Sequence, residues 1–396
     1  MFYFLIFIIL FIFAACDIDK KLNANSRNIV LIFLFLVFWL VAGLRYETGT
    51  DWMTYTQFYN QIDNIAEVFG GSSYVLNDSP FEIGYTLVNS VLKVFTDNIQ
   101  WLFLLIAFVT NLMLFFSLKK YSSHIFISLL IYFCIIYLIL DMSGIRQCIA
   151  LNIFLCSLNY IIRKKICKYF LAIFIASLFH QAAWLLLPMY FFLNREFKNS
   201  TYLIFVGIGI IFALFQIHWI QPLVDYSIGF HFSESLSGKL YFYGKFINVS
   251  RSFGIGFIGN LLILVFCLVK RNDLKTNKMF KLFLNMYILN LVFYYFTWEL
   301  WLLSSRYRLY FLIGNVVLLT YFVDVYKDRL KKYLVFVFII FYCLSYGKIY
   351  FFEYPEGITH NPYQNYLLYK IFGIKSTGLE RLDIFESTIA FKKNDD

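Results

Sequence analysis

Residues 99–120 read IQWLFLLIAFVTNLMLFFSLKK, a run from Ile99 to Leu118 without a single charge, closed by Lys119 and Lys120. Wound as a helix at about 1.5 Å per residue, that run is about 30 Å long, the thickness of a bilayer's hydrocarbon layer. Similar runs recur at residues 28–44, 201–219, 253–269, 279–298, 309–326 and 333–350. They are too long for the strands of a membrane barrel. In lipid each backbone donor must be satisfied inside its own segment, so the pattern predicts helices. The composition agrees, with 61% hydrophobic and 15% charged residues, whereas a soluble domain carries about a quarter charged. The chain therefore reads as an all-α polytopic membrane protein whose residues 1–350 form one transmembrane bundle.

The net charge of +10 fits the same architecture. Lys and Arg fall in short clusters between apolar runs, where they hold loops at the cytoplasmic face, and no basic domain exists to contact nucleic acid. Cys134, Cys148, Cys156, Cys267 and Cys343 lie in apolar runs and are expected to be buried thiols, neither disulfides nor metal ligands. Walker, Rossmann and Cys/His motifs are lacking, so an activated substrate rather than ATP must bring the energy, with no cofactor and no metal expected. Met1 to Ala15 is apolar and ends near a Phe13-Ala-Ala-Cys16 motif that faintly suggests a lipoprotein signal. No positive region precedes it and Lys20, Lys21 and Arg27 follow, so it is read as a first span entering the cytoplasm.

Fixing that basic cluster inside makes every later turn alternate. Residues 28–44 exit to an outer loop at 45–98, rich in Asp and Glu; 99–118 return, 124–140 exit to a tight turn at 141–144, and 145–162 return to Arg163-Lys-Lys165. The stretch 169–193 lies between two basic clusters. Two short arms, 169–179 and 182–193, turning near His180-Gln181, would keep both clusters inside as a re-entrant helical hairpin whose turn sits within the membrane thickness. Beyond it, 220–252 forms a second outer loop, 299–308 an outer turn, and 351–396 a non-cytoplasmic tail. The expected total is about 10–11 transmembrane helices plus the hairpin.

Chemistry-bearing residues gather on the outer side. Gly43-Leu-Arg45-Tyr46-Glu47-Thr-Gly49-Thr-Asp51-Trp52, with Tyr55 following, sets an Arg and two carboxylates at the mouth of a span. The Arg suits a phosphate and the carboxylate six residues on suits a hydroxyl proton; an ordinary loop with a snorkelling Arg would look similar. Ser143-Gly-Ile-Arg146-Gln147 opens a span, where free N–H groups favour an anion and an Arg needs a negative neighbour. His180 at the hairpin turn is an ionisable group at membrane depth, suited to moving protons, although a lone His is more often a satisfied core residue. Arg306-Tyr307-Arg308 puts two cations on the outer face, against the topological bias, and His360-Asn-Pro-Tyr363 could cap an outer cavity or stack on sugar rings.

Those residues, in order, resemble the EpsG-like family of bacterial polysaccharide polymerases, relatives in role of the Wzy O-antigen polymerases. The resemblance rests on the Gly43-Leu-Arg45-Tyr46 … Gly49-Thr50-Asp51 … Tyr55 block, Phe81-Glu82-Ile-Gly84-Tyr85, Arg146-Gln147 … Ala150, Phe179-His180 and Arg306-Tyr307, over about residues 30–320. It implies a membrane-glycosyltransferase-like bundle in the bacterial inner membrane. Its site would face the periplasm and take a polyprenyl-diphosphate-linked oligosaccharide, with a flippase and a chain-length regulator as working partners. Arg45, Arg146, Arg306 and Arg308 would bind the diphosphate, and Asp51, with His180 behind it, would act as base. Glu47, Tyr55, Glu82, Gln147, Tyr307 and Tyr363 would position glycan. A membrane glycosyltransferase or ligase using another polyprenyl-linked donor is the neighbouring alternative. A lipid-linked oligosaccharide flippase would instead show midplane charges and internal repeats.

Overall fold

The structure, a computed structural model, describes residues 1–19, 21–69, 79–220, 222, 255–298, 301–351 and 357–392. Two units emerge: Met1–Leu187 with Tyr326–Asp395, and Pro188–Val325. The expected loop at 220–252 falls almost wholly outside the described residues, as do Tyr354 and Pro355 of the tail.

The first unit opens with α1 (Phe2–Ile18) and α2 (Ala24–Gly43). Asn23 starts α2 by accepting the Ser26 N–H at 2.8 Å, a side-chain cap for one of the donors that a helix start leaves unpaired. Helices α3 (Trp52–Gln61) and α4 (Ile83–Lys93) follow, then α5 (Gln100–Tyr121), α6 (Ile125–Leu140), α7 (Ile145–Ile162) and α8 (Ile166–Ser177). Thus the segment 45–98, expected as an outer loop, contains packed helices. α2 packs on α5, α5 on α7, α7 on α8, and α1 on α6.

α6 carries one π turn, Phe133–Tyr137. Such bulges recur at functional sites because they re-aim side chains. Here the Tyr137 hydroxyl reaches across to the Phe38 carbonyl at 2.6 Å. Amide side chains inside the bundle donate to carbonyls of their own helices: Asn111 to Ala107 and Asn152 to Cys148.

The chain turns back after α8. The Tyr169 hydroxyl donates to the Leu186 carbonyl at 2.6 Å, joining the 3₁₀ segment Gln181–Leu186 to the first arm. The chain turns at His180, where the sequence predicts it, but the segment after the turn is 3₁₀ over Gln181–Leu186 rather than one helical arm over 182–193.

The second unit holds α9 (Asn199–Leu214), α10 (Ile255–Val269), α11 (Phe280–Phe296) and α12 (Trp301–Asp324). α12 corrects one expectation. Residues 301–308 are helical where the charge pattern predicts an outer turn at 299–308, because no Gly or Pro interrupts the sequence before Gly314.

The chain then rejoins the first unit as α13 (Arg329–Phe351), α14 (Tyr366–Phe372) and α15 (Gly378–Lys392). The tail is therefore partly helical and docked. Residues 45 and 365 form an antiparallel bridge, with Tyr46 N–H on the Gln364 carbonyl and Tyr366 N–H on the Leu44 carbonyl, both at 2.8 Å.

Among the described residues, Ala24–Gly43, Gln100–Tyr121, Ile145–Ile162 and Arg329–Lys348 are long and apolar enough to cross a membrane. Shorter apolar helices accompany them in both units. The protein is an all-helical polytopic membrane protein. Cys134, Cys148, Cys267 and Cys343 are buried as predicted, but Cys156 is exposed, on the outward face of α7.

Candidate functional site

The floor of the site is an aromatic cluster drawn from α3, α4, α5 and α7. Tyr55, Phe58, Tyr59, Tyr85, Phe103, Ile145 and Ile149 are buried in it, with Phe81 and Phe179 packed against it. Burial of these large side chains holds four sequence-distant helices together and sets two arginines above one apolar base.

Arg45 is only 1% exposed, immediately after the end of α2. One Nη1 bond, 2.6 Å to the Ala42 carbonyl, fixes it, and its guanidinium lies 4.1 Å from the centre of the Phe103 ring. Its Nε and Nη2 are buried without hydrogen-bond partners. Burial lowers its pKa from the ordinary arginine value, and the hydroxyls of Tyr55, Tyr137, Tyr85 and Tyr363 oppose that. A buried guanidinium with unspent donors is costly unless something negative meets it.

Arg146, in the first turn of α7, has the negative neighbour its position demands. Its Nη1 pairs with the Glu82 carboxylate, and its plane stands 4.3 Å from the Phe81 ring centre. The second Glu82 oxygen accepts the Gln181 N–H at 3.0 Å. Burial alone would raise the Glu82 carboxyl, but Arg146 and that N–H hold it below its ordinary range. Glu82 thus ties Arg146 to the hairpin turn. A second tie is the Gly84 N–H, which donates to the Leu178 carbonyl at 2.8 Å; a Cβ on Gly84 would stand 2.7 Å from that oxygen.

Tyr55 is buried in the aromatic cluster, within electrostatic reach of Asp51, Arg45 and Arg146. Burial and the Asp51 carboxylate push its hydroxyl up, while Arg146, which also hydrogen-bonds it, and Arg45 pull it down. Asp51 sits at the N-cap of α3 without capping it, and accepts the Thr50 hydroxyl at 2.8 Å. It is half-buried, so a ligand can reach it.

The loop that carries Arg45 and Asp51 is locked from two sides. The Thr50 N–H donates to the Ser143 hydroxyl at 3.1 Å, and the Gly49 N–H to the Thr359 carbonyl at 2.9 Å. Gly49 has φ +100°, and a Cβ there would stand 2.3 Å from the Met142 carbonyl oxygen, so only glycine fits. His360 is buried beneath, its Nε2 donating to the Leu138 carbonyl at 3.0 Å. Burial drives its pKa down to about 4, which makes it a neutral structural residue.

Several predicted residues take other positions. His180 is half-buried at the hairpin turn, close enough to Glu82 to lower its pKa. Gln147 is buried beside Arg146 on α7. Glu47 adopts φ +45°, and its carbonyl accepts Arg381 at 2.9 Å. The Tyr363 hydroxyl donates to the Val41 carbonyl at 3.0 Å while its ring stacks on Phe2 at 4.2 Å, which commits it to packing. Arg306, Tyr307 and Arg308 belong to α12 of the second unit. There Arg306 is exposed, and Arg308 lies 4.8 Å from the Tyr294 ring centre. Among the described residues no group of His, Cys, Asp and Glu could hold a metal ion.

Three further residues gain no site role from the sequence, although Tyr85 stands in the Phe81-Glu82-Ile-Gly84-Tyr85 motif. Asp141 is buried, accepts the Tyr132 hydroxyl at 2.6 Å and leaves Oδ1 without a partner; burial raises its pKa to about 7. Tyr85 is buried beside Tyr55. Arg381 binds five backbone carbonyls, those of Thr377, Ile358, Thr359, Pro362 and Glu47. An acid in a tight turn between two apolar runs is the available signal for Asp141. Arg381 has none.

The sequence pattern of the EpsG family matches residues 28–370, from α2 through the bridge at residue 365 into α14. The chain belongs to the EpsG family. The match takes in Arg45, Asp51, Tyr55, Glu82 and Arg146 together, and stops short of Arg381. No curated relative and no solved structure matches the chain.

Proposed function

We propose that this EpsG-family protein is a polysaccharide polymerase of the bacterial inner membrane, acting at the outer leaflet. It transfers a polyprenyl-diphosphate-linked glycan onto a lipid-linked repeat unit. The observation that carries the reading is the buried Arg45, whose Nε and Nη2 nothing in the described chain satisfies, set with Arg146 against one aromatic cluster.

In this reading the diphosphate lies against Arg45 and the outer edge of Arg146. Fixed cations in a site with little water stabilise the charge that grows as the glycosidic bond breaks, and such preorganised charge is usually what lowers the barrier most. The acceptor hydroxyl gives its proton to Asp51 as its oxygen bonds the donor's anomeric carbon. The bond from that carbon to the phosphate oxygen breaks, and polyprenyl diphosphate leaves with the electron pair. Glu82 keeps Arg146 aimed and keeps the hairpin turn with His180 against the site.

The test is polymerisation by the purified chain in nanodiscs, supplied with one defined polyprenyl-diphosphate-linked repeat unit. A ladder of lengthening glycans supports the proposal. A single added sugar, or no product from a folded protein given the repeat unit of its own organism's polysaccharide, overturns it.

A further inference from the structure

α14 lies outside the bundle and buries none of its residues, yet most of it is apolar. Leu367, Leu368, Ile371 and Phe372 are 47%, 51%, 71% and 69% exposed. At about 100° per residue these four occupy one continuous arc of about 140°, and Tyr366, Tyr369 and Lys370 occupy the opposite side. The tyrosine side is engaged: Tyr46 lies 5.8 Å from the Tyr366 ring and 5.6 Å from the Tyr369 ring. The apolar side faces away from the protein.

The depth of this helix is fixed by hydrogen bonds. The span Ala24–Gly43 ends one residue before Leu44, whose carbonyl accepts the Tyr366 N–H. The Tyr366 hydroxyl accepts from Asn98 at 2.6 Å, two residues before the span that starts at Gln100. α14 therefore begins where two membrane spans end on the same side, at headgroup level. Large exposed apolar residues already occupy that level, with Phe95 79% and Trp101 58% exposed. Tyr, Trp and Lys around an apolar stripe is the pattern of a segment lying in the interface.

We propose that α14 is an interfacial membrane anchor, its Leu367–Leu368–Ile371–Phe372 face set in the acyl-headgroup boundary of the leaflet at the Gly43 end of α2. The partner is the lipid surface, contiguous with the lipid-facing belt of the spans. Because Asn365, one residue before α14, is bridged to Arg45, the anchor sets the depth of the loop that carries the buried arginine. The anchor depends on the membrane fold and is independent of the proposed chemistry.

The test is a nitroxide at Ile371→Cys or Phe372→Cys, each in a chain whose accessible thiols are removed (Cys16→Ser, Cys156→Ser, Cys167→Ser), with Lys370→Cys as the opposite-face control. The protein is placed in nanodiscs of phosphatidylethanolamine and phosphatidylglycerol, and collisions with oxygen and with a water-soluble nickel chelate are compared. Labels at 371 and 372 are expected to favour oxygen, at a depth of about 5–10 Å below the phosphates, and the label at 370 to favour nickel. Nickel-accessible labels at 371 and 372 would place the helix in water. Labels shielded from both probes would mean a protein partner, a second copy included. Either result overturns the anchor. Two independent label positions guard against one disturbing the helix.

Discussion

Replacing Arg146 by Gln separates two roles that one ion pair could conceal. The Arg146–Glu82 pair is only about a fifth exposed on each side. Removing one partner of a fully buried pair costs about 3–5 kcal/mol; at this exposure, and with the Gln181 N–H still on Glu82, about 1–2 kcal/mol is expected. Stability should recover when Glu82→Gln is added, because no charge is then left unpaired. Activity should not. If Arg146 also donates to the diphosphate, losing that charge-assisted bond costs about 1.5–3 kcal/mol, a fall in kcat/KM of about 10- to 150-fold. The assay is a double-mutant cycle on the purified protein, with Tm read by thermal unfolding and kcat/KM by glycan extension. Arg146→Gln and Arg146→Gln/Glu82→Gln are predicted to share one low activity, while Tm recovers in the double variant. Activity restored along with Tm would show that Arg146 only balances Glu82, and would refute its catalytic role.

Asp51→Asn keeps the cap position of α3 and is predicted to leave Tm unchanged within about a degree while polymerisation falls by about 10²-fold or more, the usual worth of a general base; full activity in the extension assay excludes it. Gly49→Ala forces a side chain into a left-handed backbone and toward the Met142 carbonyl. It should lose at least about 1–3 kcal/mol of stability, read as a lower Tm. Asp141 and His360 make opposite contributions to pH dependence. Asp141, raised to about 7, is protonated in the fold and ionised when unfolded between about pH 4 and 7, so its share of stability falls as pH rises through that window. His360, lowered to about 4, is neutral in the fold but charged when unfolded below its ordinary range, so its share rises with pH between about 4 and 6.5. Asp141→Asn should therefore make Tm climb more steeply with pH over that interval than it does in the wild type. An unchanged slope contradicts the buried placement of Asp141.

The long spans are legible in the sequence because the hydrocarbon layer sets a minimum length for a crossing, and a run such as 99–118 satisfies it without reference to the rest of the chain. The predicted spans 201–219, 253–269 and 279–298 form shorter apolar helices. The hairpin is legible for a related reason: two basic clusters flank a stretch too short for two full crossings. The meeting of Arg45, Asp51 and Arg146 can be anticipated only as separate short motifs. What joins them is packing of Tyr55 and Tyr85, which stand in those motifs, with Phe58 and Phe103, which look like ordinary apolar residues in a chain holding 49 Phe. Arg146 carries its own clue, since a cation in the first turn of a helix needs an acid, and Glu82 is that acid. Arg381 gives no clue. It binds backbone carbonyls, which have no sequence signature, and it holds a loop more than three hundred residues away. The helical start of α12 is hidden because its charges suggest a turn, whereas continuity of helix formers decides.

If Arg45 is the buried cation that receives the diphosphate, the direct measurement is equilibrium binding of glycan-free polyprenyl diphosphate to the protein in nanodiscs, with Arg45→Gln and Asp51→Asn alongside. Wild type and Asp51→Asn are predicted to bind with similar affinity, competed by inorganic pyrophosphate, while folded Arg45→Gln binds at least about tenfold more weakly. Equal binding by wild type and Arg45→Gln would contradict it.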